Sequence, residues 1–562
     1  MTAVDTVAVI GAGTMGAGIA QVAAAAGCRV LLQDVSGDQL RRAVDEIGRR
    51  LQRSVERGRL SADAAAATLG RIETTTNLDD LAPAGVVIEA APERMELKRE
   101  IFRRLGELCG PDTILTTNTS SLSVTALAAA SGRPECFAGL HFFNPAPVMP
   151  LVEIILGDGT SPETTRLLQE LAARFGKTPV IARDTPGFIV NRVARPFYGE
   201  ALRLLGEGLV DVATADRLVR AAGFRMGPFE LMDLIGIDVN FAVTRSVYEA
   251  YFHEPRYRPH PIQRRLVEAG ALGRKAGRGF YRYQDEAEPQ AAIGPAPVQP
   301  PQAPRVPQAG ETPAQSWLIT GSGPAAEALA ARAEARGITV HRAVEPRIPG
   351  QRLDLAVEVE PAWGDARLRR VAELDRALPP GVPLAAACWG GTFRELRGAV
   401  GAGRPLAGFH LWLPLGERPL VEWVVPAGPG ALPVPGVPAA PGAPAAPGQS
   451  AEPGDPWQAV LAAAGAFAAA GLEPAWVGDA PGGVVGRIVS MLVNEAAFAV
   501  AEGVAEPEAI DTAMCLGTNY PRGPWAWHAE AAPLVRAVLE GLHRHYREER
   551  YRLAPLLAGP LG

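Results

Sequence analysis

The pattern of apolar and polar positions changes partway along the first half of the chain. Residues 6–182 alternate helical stretches with short β-branched runs, which are Thr6–Ile10, Arg29–Asp34, Val86–Glu89 and Thr113–Asn118. This alternation predicts a mostly parallel sheet with helices on both faces. From Pro186 to about Arg282 the strand-like runs stop and apolar residues recur at helical spacing. We therefore expect a doubly wound α/β domain followed by an all-helical domain.

The second half of the chain resembles the first. GLHFFNPAPVMPLVEII, which contains His141 and Glu153, is echoed by GFHLWLPLGERPLVEWV, which contains His410 and Glu422. The histidine precedes the glutamate by twelve residues in both segments. Further on, DTPGFIVNR from Asp184 is echoed by DAPGGVVGR. These matches indicate one large module present twice, which differs from a short-period solenoid repeat.

A glycine-rich turn joins the first predicted strand to the first helix. Gly11, Gly13 and Gly16 follow the strand VAVI, and Asp34 ends the next strand eighteen residues after Gly16. Such glycines let the backbone approach a pyrophosphate, whose charge the helix N-terminus stabilises. Asp34 would accept hydrogen bonds from the adenine ribose and repel a 2′-phosphate, which predicts NAD. Two arginines on the following helix leave NADP as an alternative, and a glycine turn without a ligand is the other.

One histidine is placed where a doubly wound sheet binds its ligands. His141 lies at the end of a predicted strand, at the carboxyl edge of the sheet. An enzyme that oxidises an alcohol with a nicotinamide needs a base, and an imidazole titrates near pH ~6.5. Glu153 lies in the apolar strand LVEII, where an unpaired carboxylate is costly. The spacing alone leaves two interpretations, a histidine–glutamate pair or two residues without mutual contact.

Seven motifs in the first 285 residues resemble those of the L-3-hydroxyacyl-CoA dehydrogenases, and they occur in the order found in that family. They are GAGTMGAGIA, VIEAAPERMELK, TTNTSSLSVTALA, GLHFFNPAPVMPLVEII, DTPGFIVNR, GPFELMDLIG and LGRKAGRGFYRY. The resemblance implies NAD-dependent oxidation of a 3-hydroxyacyl-CoA to the 3-oxoacyl-CoA. It also implies a Rossmann domain and a helical domain that closes over the acyl chain and usually mediates dimerisation.

The resemblance further implies roles for individual residues. His141 is the expected catalytic base and Glu153 its partner, while Ser120 and Asn191 are expected to hold the reacting oxygen and the thioester carbonyl. The expected cofactor contacts are Gly11, Gly13, Thr14, Met15, Gly16, Asp34, Glu93, Lys98, Asn144 and Lys275. The CoA nucleotide is expected at the basic helix that carries Arg50, Arg53 and Arg57, where the family often has Ser and Lys.

The length and a second helical domain resemble a subgroup of that family, the 3-hydroxyadipyl-CoA dehydrogenases of the phenylacetate pathway. NRVARPFYGEA and LIGIDVNFAVTRSVYEAYF carry this likeness. The substrate would then be 3-hydroxyadipyl-CoA, and Arg192 or Arg195 is expected to bind its distal carboxylate. The alternative is a general short-chain 3-hydroxybutyryl-CoA dehydrogenase of fatty-acid oxidation or butanoate metabolism. A further alternative is a non-catalytic scaffold, which would fit the second half of the chain but not the first.

The second half lacks most of the expected chemistry. It keeps His410 and Glu422, which are left as a buried structural pair. The changed positions are Ala326 for the third glycine, Trp389 for Ser120 and Gly486 for Asn191. We therefore expect a degenerate Rossmann-like domain, followed by a second helical domain that covers the dimerisation face of the first. This predicts an intramolecular pseudo-dimer and leaves a homo-oligomer open.

Two Pro-rich stretches separate the predicted domains, because proline at such density prevents regular helix or sheet. The predicted boundaries are 1–185 for the Rossmann domain, 186–285 for the helical domain, 286–314 for a linker, 315–425 for the degenerate Rossmann-like domain, 426–456 for a second linker and 457–562 for the second helical domain.

Composition and charge narrow the class of protein. A hydrophobic content of 47% with 21% charged residues is typical of a soluble globular protein. The net charge of −6 gives no electrostatic argument for nucleic acid or an anionic membrane surface. Five singly placed cysteines argue against a disulfide framework or a metal site, and they favour the reducing cytoplasm. No apolar run is long enough for a membrane span.

Overall fold

The structure is a computed structural model that describes residues 4–283, 289–294, 315–343, 350, 352–425 and 456–559. The chain divides into two compact units, Met1–Val193 with Ala499–Asn519 and Ala194–Phe498 with Tyr520–Gly562. The two predicted linkers, 286–314 and 426–456, lie outside the described residues except for residues 289–294 and 456. Within the described part, no helix has the length and apolar character needed to cross a membrane.

The first unit is built on an eight-stranded sheet. Its strands are β1 (Thr6–Ile10), β2 (Arg29–Gln33), β3 (Ile72–Thr75), β4 (Val86–Glu89), β5 (Ile114–Thr117), β6 (Phe137–Phe142), β7 (Leu151–Leu156) and β8 (Thr178–Arg183). They are ordered β3-β2-β1-β4-β5-β6-β7-β8, and every neighbouring pair is parallel except β6 and β7. The predicted parallel sheet is confirmed, and the four predicted strands begin and end within one residue of the observed ones.

One helix of this unit comes from its segment Ala499–Asn519 and is given below, and residues 4–193 contain seven α-helices. They are α1 (Thr14–Ala25), α2 (Gly37–Glu56), α3 (Ala62–Gly70), α4 (Met95–Leu108), α5 (Val124–Ser131), α6 (Pro162–Arg174) and α7 (Val190–Val193). All four residues of β4 and of β5 are buried. This continuous burial is expected when helices cover both faces of a parallel sheet, which explains why these strands are apolar runs without alternation.

The second unit begins with a helical segment. Its helices are α8 (Arg195–Gly206), α9 (Val212–Ala221), α10 (Pro228–Ile235), α11 (Ile237–Ala250) and α12 (Pro261–Glu268), followed by the short antiparallel strands β9 (Tyr281–Arg282) and β10 (Gln290–Ala291). A helical domain after the first sheet is therefore confirmed. Strand β10 lies in the stretch that was predicted to be a linker.

A second sheet follows in the same unit. Its strands are β11 (Ser316–Thr320), β12 (Thr339–Ala343), β13 (Leu355–Glu358), β14 (Leu384–Ala387), β15 (Leu406–His410), β16 (Leu420–Val424) and β17 (Glu473–Val477), and its helices are α13 (Pro324–Glu334), α14 (Asp365–Ala377), α15 (Phe393–Ala399) and α16 (Pro456–Ala469). The strand order β12-β11-β13-β14-β15-β16-β17 repeats that of the first sheet without a counterpart of β3 among the described residues.

The predicted end of this second sheet domain at residue 425 differs from the structure. Strand β17 pairs in parallel with β16, and α16 packs against β14, β15, β16 and β17. Residues 456–477 therefore belong with the second sheet and not with the helices that follow. The difference arises because the Pro-rich stretch after residue 425 interrupts the domain, so that its composition resembles a domain boundary.

The last helices are α17 (Val485–Ala501), α18 (Pro507–Thr518), α19 (Pro524–Tyr546) and α20 (Pro555–Ala558). Helix α17 up to Phe498 and helix α19 belong to the second unit, where they contact the earlier helical segment. Arg487, with none of its surface exposed, donates to Glu200 at 2.8 Å and to Glu207 at 2.9 Å. Phe224 stacks on Trp527 with 5.3 Å between ring centroids.

Candidate functional site

His141 and Glu153 contact each other at one end of the first sheet. Strands β6 and β7 are antiparallel, and their register places the two residues directly opposite each other. The distance between His141 Nδ1 and Glu153 Oε2 is 2.7 Å. Both side chains are buried, with 6% of His141 and 0% of Glu153 exposed. Of the two interpretations that the sequence left open, the structure supports the histidine–glutamate pair.

The second carboxylate oxygen of Glu153 anchors the start of α7. Its Oε1 accepts hydrogen bonds from the backbone N–H groups of Ile189 at 3.1 Å and Val190 at 3.0 Å. A carboxylate only accepts hydrogen bonds, so the contact at Oε2 assigns the proton to His141 Nδ1. That tautomer leaves Nε2 of His141 as the proton acceptor. The rings of Phe143 and Phe188 meet the imidazole edge-on, so that its orientation is fixed by packing as well.

The glycine turn has the geometry of a dinucleotide site. Gly11 has a φ of 93°, and a Cβ at Gly16 would overlap the Gly11 carbonyl oxygen. Gly13 is the N-cap of α1, where no side chain caps the helix and no acidic residue lies in the first turn. A Cβ at Gly13 would meet no atom within 4 Å, so the backbone is open to an approaching ligand. These features fit an anionic pyrophosphate.

Asp34 lies beside that turn, one residue after β2. Its Oδ2 accepts the backbone N–H of Ala12 at 2.8 Å, and its Oδ1 accepts that of Ser36 at 2.9 Å. The carboxylate is therefore held at the edge of the glycine turn, as the ribose assignment requires. Thr14 and Met15 are the first two residues of α1. Their contacts with the cofactor stay predictions.

Glu93 organises the loop that carries Ser120. Its Oε1 accepts the backbone N–H groups of Ser120 at 3.1 Å and Ser121 at 3.2 Å. Burial raises the pKa of Glu93, but Lys98 and the hydroxyls of Thr119 and Ser121 lower it by more, so it lies below its ordinary value. Glu93 therefore stays ionised and fixes the loop.

Lys98 is buried behind Glu93, with 1% of its surface exposed. Its Nζ donates to Glu89 at 2.7 Å and approaches Glu93 at 3.2 Å. The prediction that Lys98 contacts the cofactor stays a prediction, since the structure shows it linking two carboxylates. Glu89 was missed in the sequence. A buried strand ending in an acid, with a lysine nine residues later, is the signal that could have found it.

The structure does not test the roles predicted for the other residues. Asn191 is the second residue of α7, and Asn144 is exposed just after β6. In the second unit, Lys275 pairs with Asp238 at 2.6 Å and lowers the pKa of that carboxyl. On α2, Arg50 pairs with Glu46 at 3.1 Å, and Arg57 is exposed at the end of the helix.

The corresponding histidine and glutamate of the second sheet are not hydrogen-bonded to each other. His410 and Glu422 are opposite each other on β15 and β16. However, neither ring nitrogen of His410 has a hydrogen-bond partner among the described residues. Glu422 instead accepts the backbone N–H groups of Val484 at 2.6 Å and Val485 at 3.0 Å. Glu422 thus keeps its hydrogen bonds to the start of the helix, but no hydrogen bond joins it to His410 among the described residues.

Tryptophans fill the region that corresponds to the Ser120 loop. Trp389 is 1% exposed and donates its indole N–H to the Leu411 carbonyl at 2.9 Å. A Cβ at Gly391 would overlap the ring of Trp363, and Gly390 packs closely against Gly541 of α19. At the glycine turn of this sheet, α13 has proline at its start and Glu327 in its first turn. A negative charge there disfavours an anionic ligand.

Burial of His410 predicts a pH dependence of stability. Burial lowers the pKa of His410 to about 3 from an ordinary 6.5. The unfolded chain therefore binds a proton that the folded chain does not, so stability falls as the pH drops from 6.5 towards 3. At about 1.4 kcal/mol per pH unit, the cost reaches about 2 kcal/mol at pH 5. We expect His410→Leu to remove this loss in urea unfolding at pH 7.5 and pH 5.

The exposed His543 on α19 supplies the control for that prediction. His543→Leu should leave the pH dependence of the unfolding free energy as it is in the parent chain. Burial also raises the pKa of Glu422 to about 7, which costs stability as the pH rises from 4.5 to 7 and acts equally in both variants. A parent chain that loses no stability between pH 6.5 and 5 relative to His410→Leu would contradict the prediction.

Comparisons with known proteins agree with this site. Residues 6–185 match the family model of the 3-hydroxyacyl-CoA dehydrogenase NAD binding domain, so NAD is the cofactor. Residues 187–283 and 482–559 both match the model of the 3-hydroxyacyl-CoA dehydrogenase C-terminal domain. The glycine turn and the His141–Glu153 pair lie within the first match.

The matching relatives include proteins that align with nearly the whole chain. The chain is 40% identical to the 3-hydroxyadipyl-CoA dehydrogenase of Escherichia coli (strain K12) over 99% of this chain and 97% of that protein. A crystal structure described as 3-hydroxybutyryl-CoA dehydrogenase from Escherichia coli K12 superimposes with a TM-score of 0.75 at 38% identity, covering 99% of this chain and 98% of the other.

A shorter relative matches about half of the chain. The probable 3-hydroxybutyryl-CoA dehydrogenase of Deinococcus radiodurans is 44% identical over 49% of this chain and 99% of its own length. Half of this chain thus corresponds to a whole protein of that kind. By the family models and by its full-length relative, the chain belongs to the 3-hydroxyacyl-CoA dehydrogenase family.

Proposed function

We propose that the chain oxidises the C3 hydroxyl of an L-3-hydroxyacyl-CoA to a ketone, giving the 3-oxoacyl-CoA. The observation that carries this proposal is the 2.7 Å contact between His141 and Glu153, at the same edge of the sheet as the glycine turn. NAD+ supplies a hydride acceptor for the hydrogen on C3. The chain's own residues remove the proton, place the substrate and exclude water.

His141 Nε2 takes the proton from the 3-hydroxyl group. In the resulting imidazolium, Nδ1–H still donates to Glu153, whose negative charge stabilises the positive ring. In the reverse direction the same nitrogen returns the proton to the carbonyl oxygen. Ser120 and Asn191 are proposed to hold that oxygen and the thioester carbonyl, with Glu93 fixing the loop that presents Ser120.

We propose 3-hydroxyadipyl-CoA as the substrate, with 3-hydroxybutyryl-CoA as the alternative. The full-length relative named for the adipyl substrate supports the first, and the shorter relatives support the second. Of the two arginines considered for the distal carboxylate, Arg192 pairs with Glu502 at 2.8 Å, which compensates its charge. Arg195 is buried and donates to Thr244 at 3.0 Å, and either arginine is proposed for this role.

A comparison of kcat/KM for the two thioesters tests this proposal. We expect 3-hydroxyadipyl-CoA to be preferred at least about tenfold. With the shorter substrate, the group that binds the distal carboxylate would be left without its partner. Arg192→Met or Arg195→Met, whichever removes the carboxylate contact, should then lower kcat/KM for the adipyl substrate and leave that for the butyryl substrate nearly unchanged. A preference for 3-hydroxybutyryl-CoA in the parent chain would favour the alternative.

Substitution of Asp34 tests the cofactor preference. Asp34→Ala removes the acceptor beside the glycine turn and the charge that repels a 2′-phosphate. We expect a roughly tenfold or larger loss of NAD affinity and a smaller ratio of NAD to NADP activity. The measurement is kcat/KM with each cofactor at saturating substrate. A ratio equal to that of the parent would contradict the ribose assignment.

We further propose that the second sheet and the last helices are a degenerate copy of the first two domains, and that the two helical segments form an intramolecular pseudo-dimer. Reciprocal ion pairs support this. Arg192 with Glu502 in the first unit corresponds, 295 residues later or earlier, to Arg487 with Glu207 in the second unit. Location in the cytoplasm and assembly of whole chains stay predictions.

A second reciprocal set lies within the second unit. Arg256 and Tyr257 donate to Glu495 at 3.1 Å and 2.5 Å. Correspondingly, Tyr551 donates to Glu200 at 3.0 Å, and Arg550 approaches it at 3.6 Å. An arginine–tyrosine pair from each helical segment thus meets a glutamate of the other, which is the pattern expected of an interface with two-fold pseudo-symmetry.

A further inference from the structure

Helix α18 comes from the last part of the chain but packs on the first sheet. Residues Ala499–Asn519 belong to the same compact unit as that sheet, and α18 contacts α7, β7 and β8. Just before the helix, the Val504 carbonyl accepts the N–H of Arg183 at the end of β8, at 2.9 Å. Glu502 forms its ion pair with Arg192 of α7 at 2.8 Å. Three separate contacts therefore fix this segment.

The closest approach is made by Gly517, near the end of α18. A Cβ at Gly517 would lie 2.8 Å from Leu151 Cδ2 and 3.0 Å from Val190 Cγ2. Leu151 is the first residue of β7, and Val190 is the first residue of α7. At Gly517, α18 thus lies directly against β7 and α7, and a larger side chain there would require these neighbours to shift. It limits how far the start of α7 can move.

The start of α7 is where Glu153 is held. The N–H groups of Ile189 and Val190 both donate to Glu153 Oε1, and Glu153 Oε2 contacts His141. A shift of Val190 away from β7 would weaken both backbone hydrogen bonds and release the carboxylate. The contacts therefore form a continuous path from Gly517 through Val190 and Glu153 to the base.

We propose that α18 is a positioning element for the proton-transfer pair and that Gly517 is its positioning residue. The inference rests on the proposed function, since it assigns His141 as the base. It gives the second half of the chain a task in the reaction, although its own glycine turn and serine position are altered. Helix α18, which comes from the second half, holds in place the backbone N–H groups that bind Glu153.

The reciprocal arrangement is present around the second sheet. There the Leu209 carbonyl, just before α9, accepts the N–H of Gly478 at 2.7 Å, and α9 contacts β17. Strand β17 pairs with β16, which carries Glu422, and no hydrogen bond joins Glu422 to the His410 ring. Among the described residues, the contacts of α18 end at a hydrogen-bonded histidine–glutamate pair and those of α9 do not, so we expect a disturbance of α18 to change turnover.

Substitution of Gly517 by valine in the full-length chain tests this inference. The new side chain should displace Val190, and we expect kcat to fall about 10- to 100-fold, the scale of a misplacement near 1 Å. The pH profile of kcat should shift in the same direction as that of Glu153→Gln. The dissociation constant for NAD should stay within about twofold, because the glycine turn is untouched.

The controls separate displacement from general damage. Glu508→Val, at an exposed position of the same helix, should leave kcat and its pH profile unchanged. Gly517→Ala should give a smaller loss than Gly517→Val. If Gly517→Val does not fold, Glu502→Gln takes its place, since it weakens the ion pair that ties this segment to α7.

A double-mutant cycle provides the decisive measurement. In the Glu153→Gln background, Gly517→Val should lower kcat by less than about threefold more, because the step it disturbs is already lost. Losses that multiply in full, or a normal kcat and pH profile in Gly517→Val, would overturn the inference. An unaltered kcat in Glu153→Gln itself would instead count against the proposed function.

Discussion

His141→Ala is expected to lower kcat by about 10²- to 10⁴-fold, the usual contribution of a positioned general base. The NAD dissociation constant should change little, because the glycine turn and Asp34 follow two other strands, β1 and β2. The side chain is 6% exposed, so its loss leaves a space beside Glu153, whose Oε1 still accepts the N–H groups of Ile189 and Val190. Steady-state NADH formation with saturating thioester, together with NAD binding to the free enzyme, measures both quantities.

The chain itself offers a matched control for this substitution. His410 occupies the equivalent register position in the second sheet, and it is also buried beside a glutamate. His410→Ala removes the same atoms from a place where the ring nitrogens have no partner among the described residues. Its turnover should equal that of the parent. Turnover near the parent value in His141→Ala, or a comparable loss in His410→Ala, would contradict the assignment of the base.

The comparison between the two sheets separates two tasks of the glutamate. Glu422 binds two backbone N–H groups without a hydrogen bond to His410, so the residue type is retained where the helix start needs an acceptor. Glu153 makes the same two contacts and also binds His141. Glu153→Gln should therefore preserve the fold better than Glu153→Ala, since the amide oxygen still accepts from the backbone.

Much of the first half could be predicted from the sequence because its signals are local. The strand runs, the glycine turn and Asp34 follow one another in order, and the structure places each within a residue of its expected position. The pairing of His141 with Glu153 needed the antiparallel register of β6 and β7, which the twelve-residue spacing alone left open. The family resemblance, rather than the spacing, made that pair the expected one.

Other features depend on contacts between distant parts of the chain. Strand β17 joins the second sheet only after a Pro-rich stretch of about thirty residues, and composition alone placed a boundary there. The approach of Gly517 to Val190 joins residues that no periodicity connects. Likewise, the lack of a hydrogen bond between His410 and Glu422 could not be predicted from two retained residues at an unchanged spacing.

Of the substitutions discussed, Arg487→Leu is expected to lower the free energy of unfolding the most. The guanidinium has no exposed surface and donates to Glu200, Glu207 and the hydroxyl groups of Tyr546 and Tyr551. A leucine would fill part of the volume but would leave the buried carboxylate of Glu200 without its closest cation. Removing one partner of a buried ion pair typically costs about 3–5 kcal/mol, far more than the pair contributes by its attraction alone.

Urea unfolding followed by tryptophan fluorescence measures this loss, and Arg245→Leu is its control. Arg245 pairs with Glu249 at 2.9 Å on an exposed helix surface, where such a pair is worth less than about 1 kcal/mol. A loss in Arg487→Leu as small as in Arg245→Leu would show that the buried network does not hold the helical segments together. A loss of several kcal/mol would support the intramolecular pseudo-dimer, because Arg487 and the two glutamates it binds come from different helical segments.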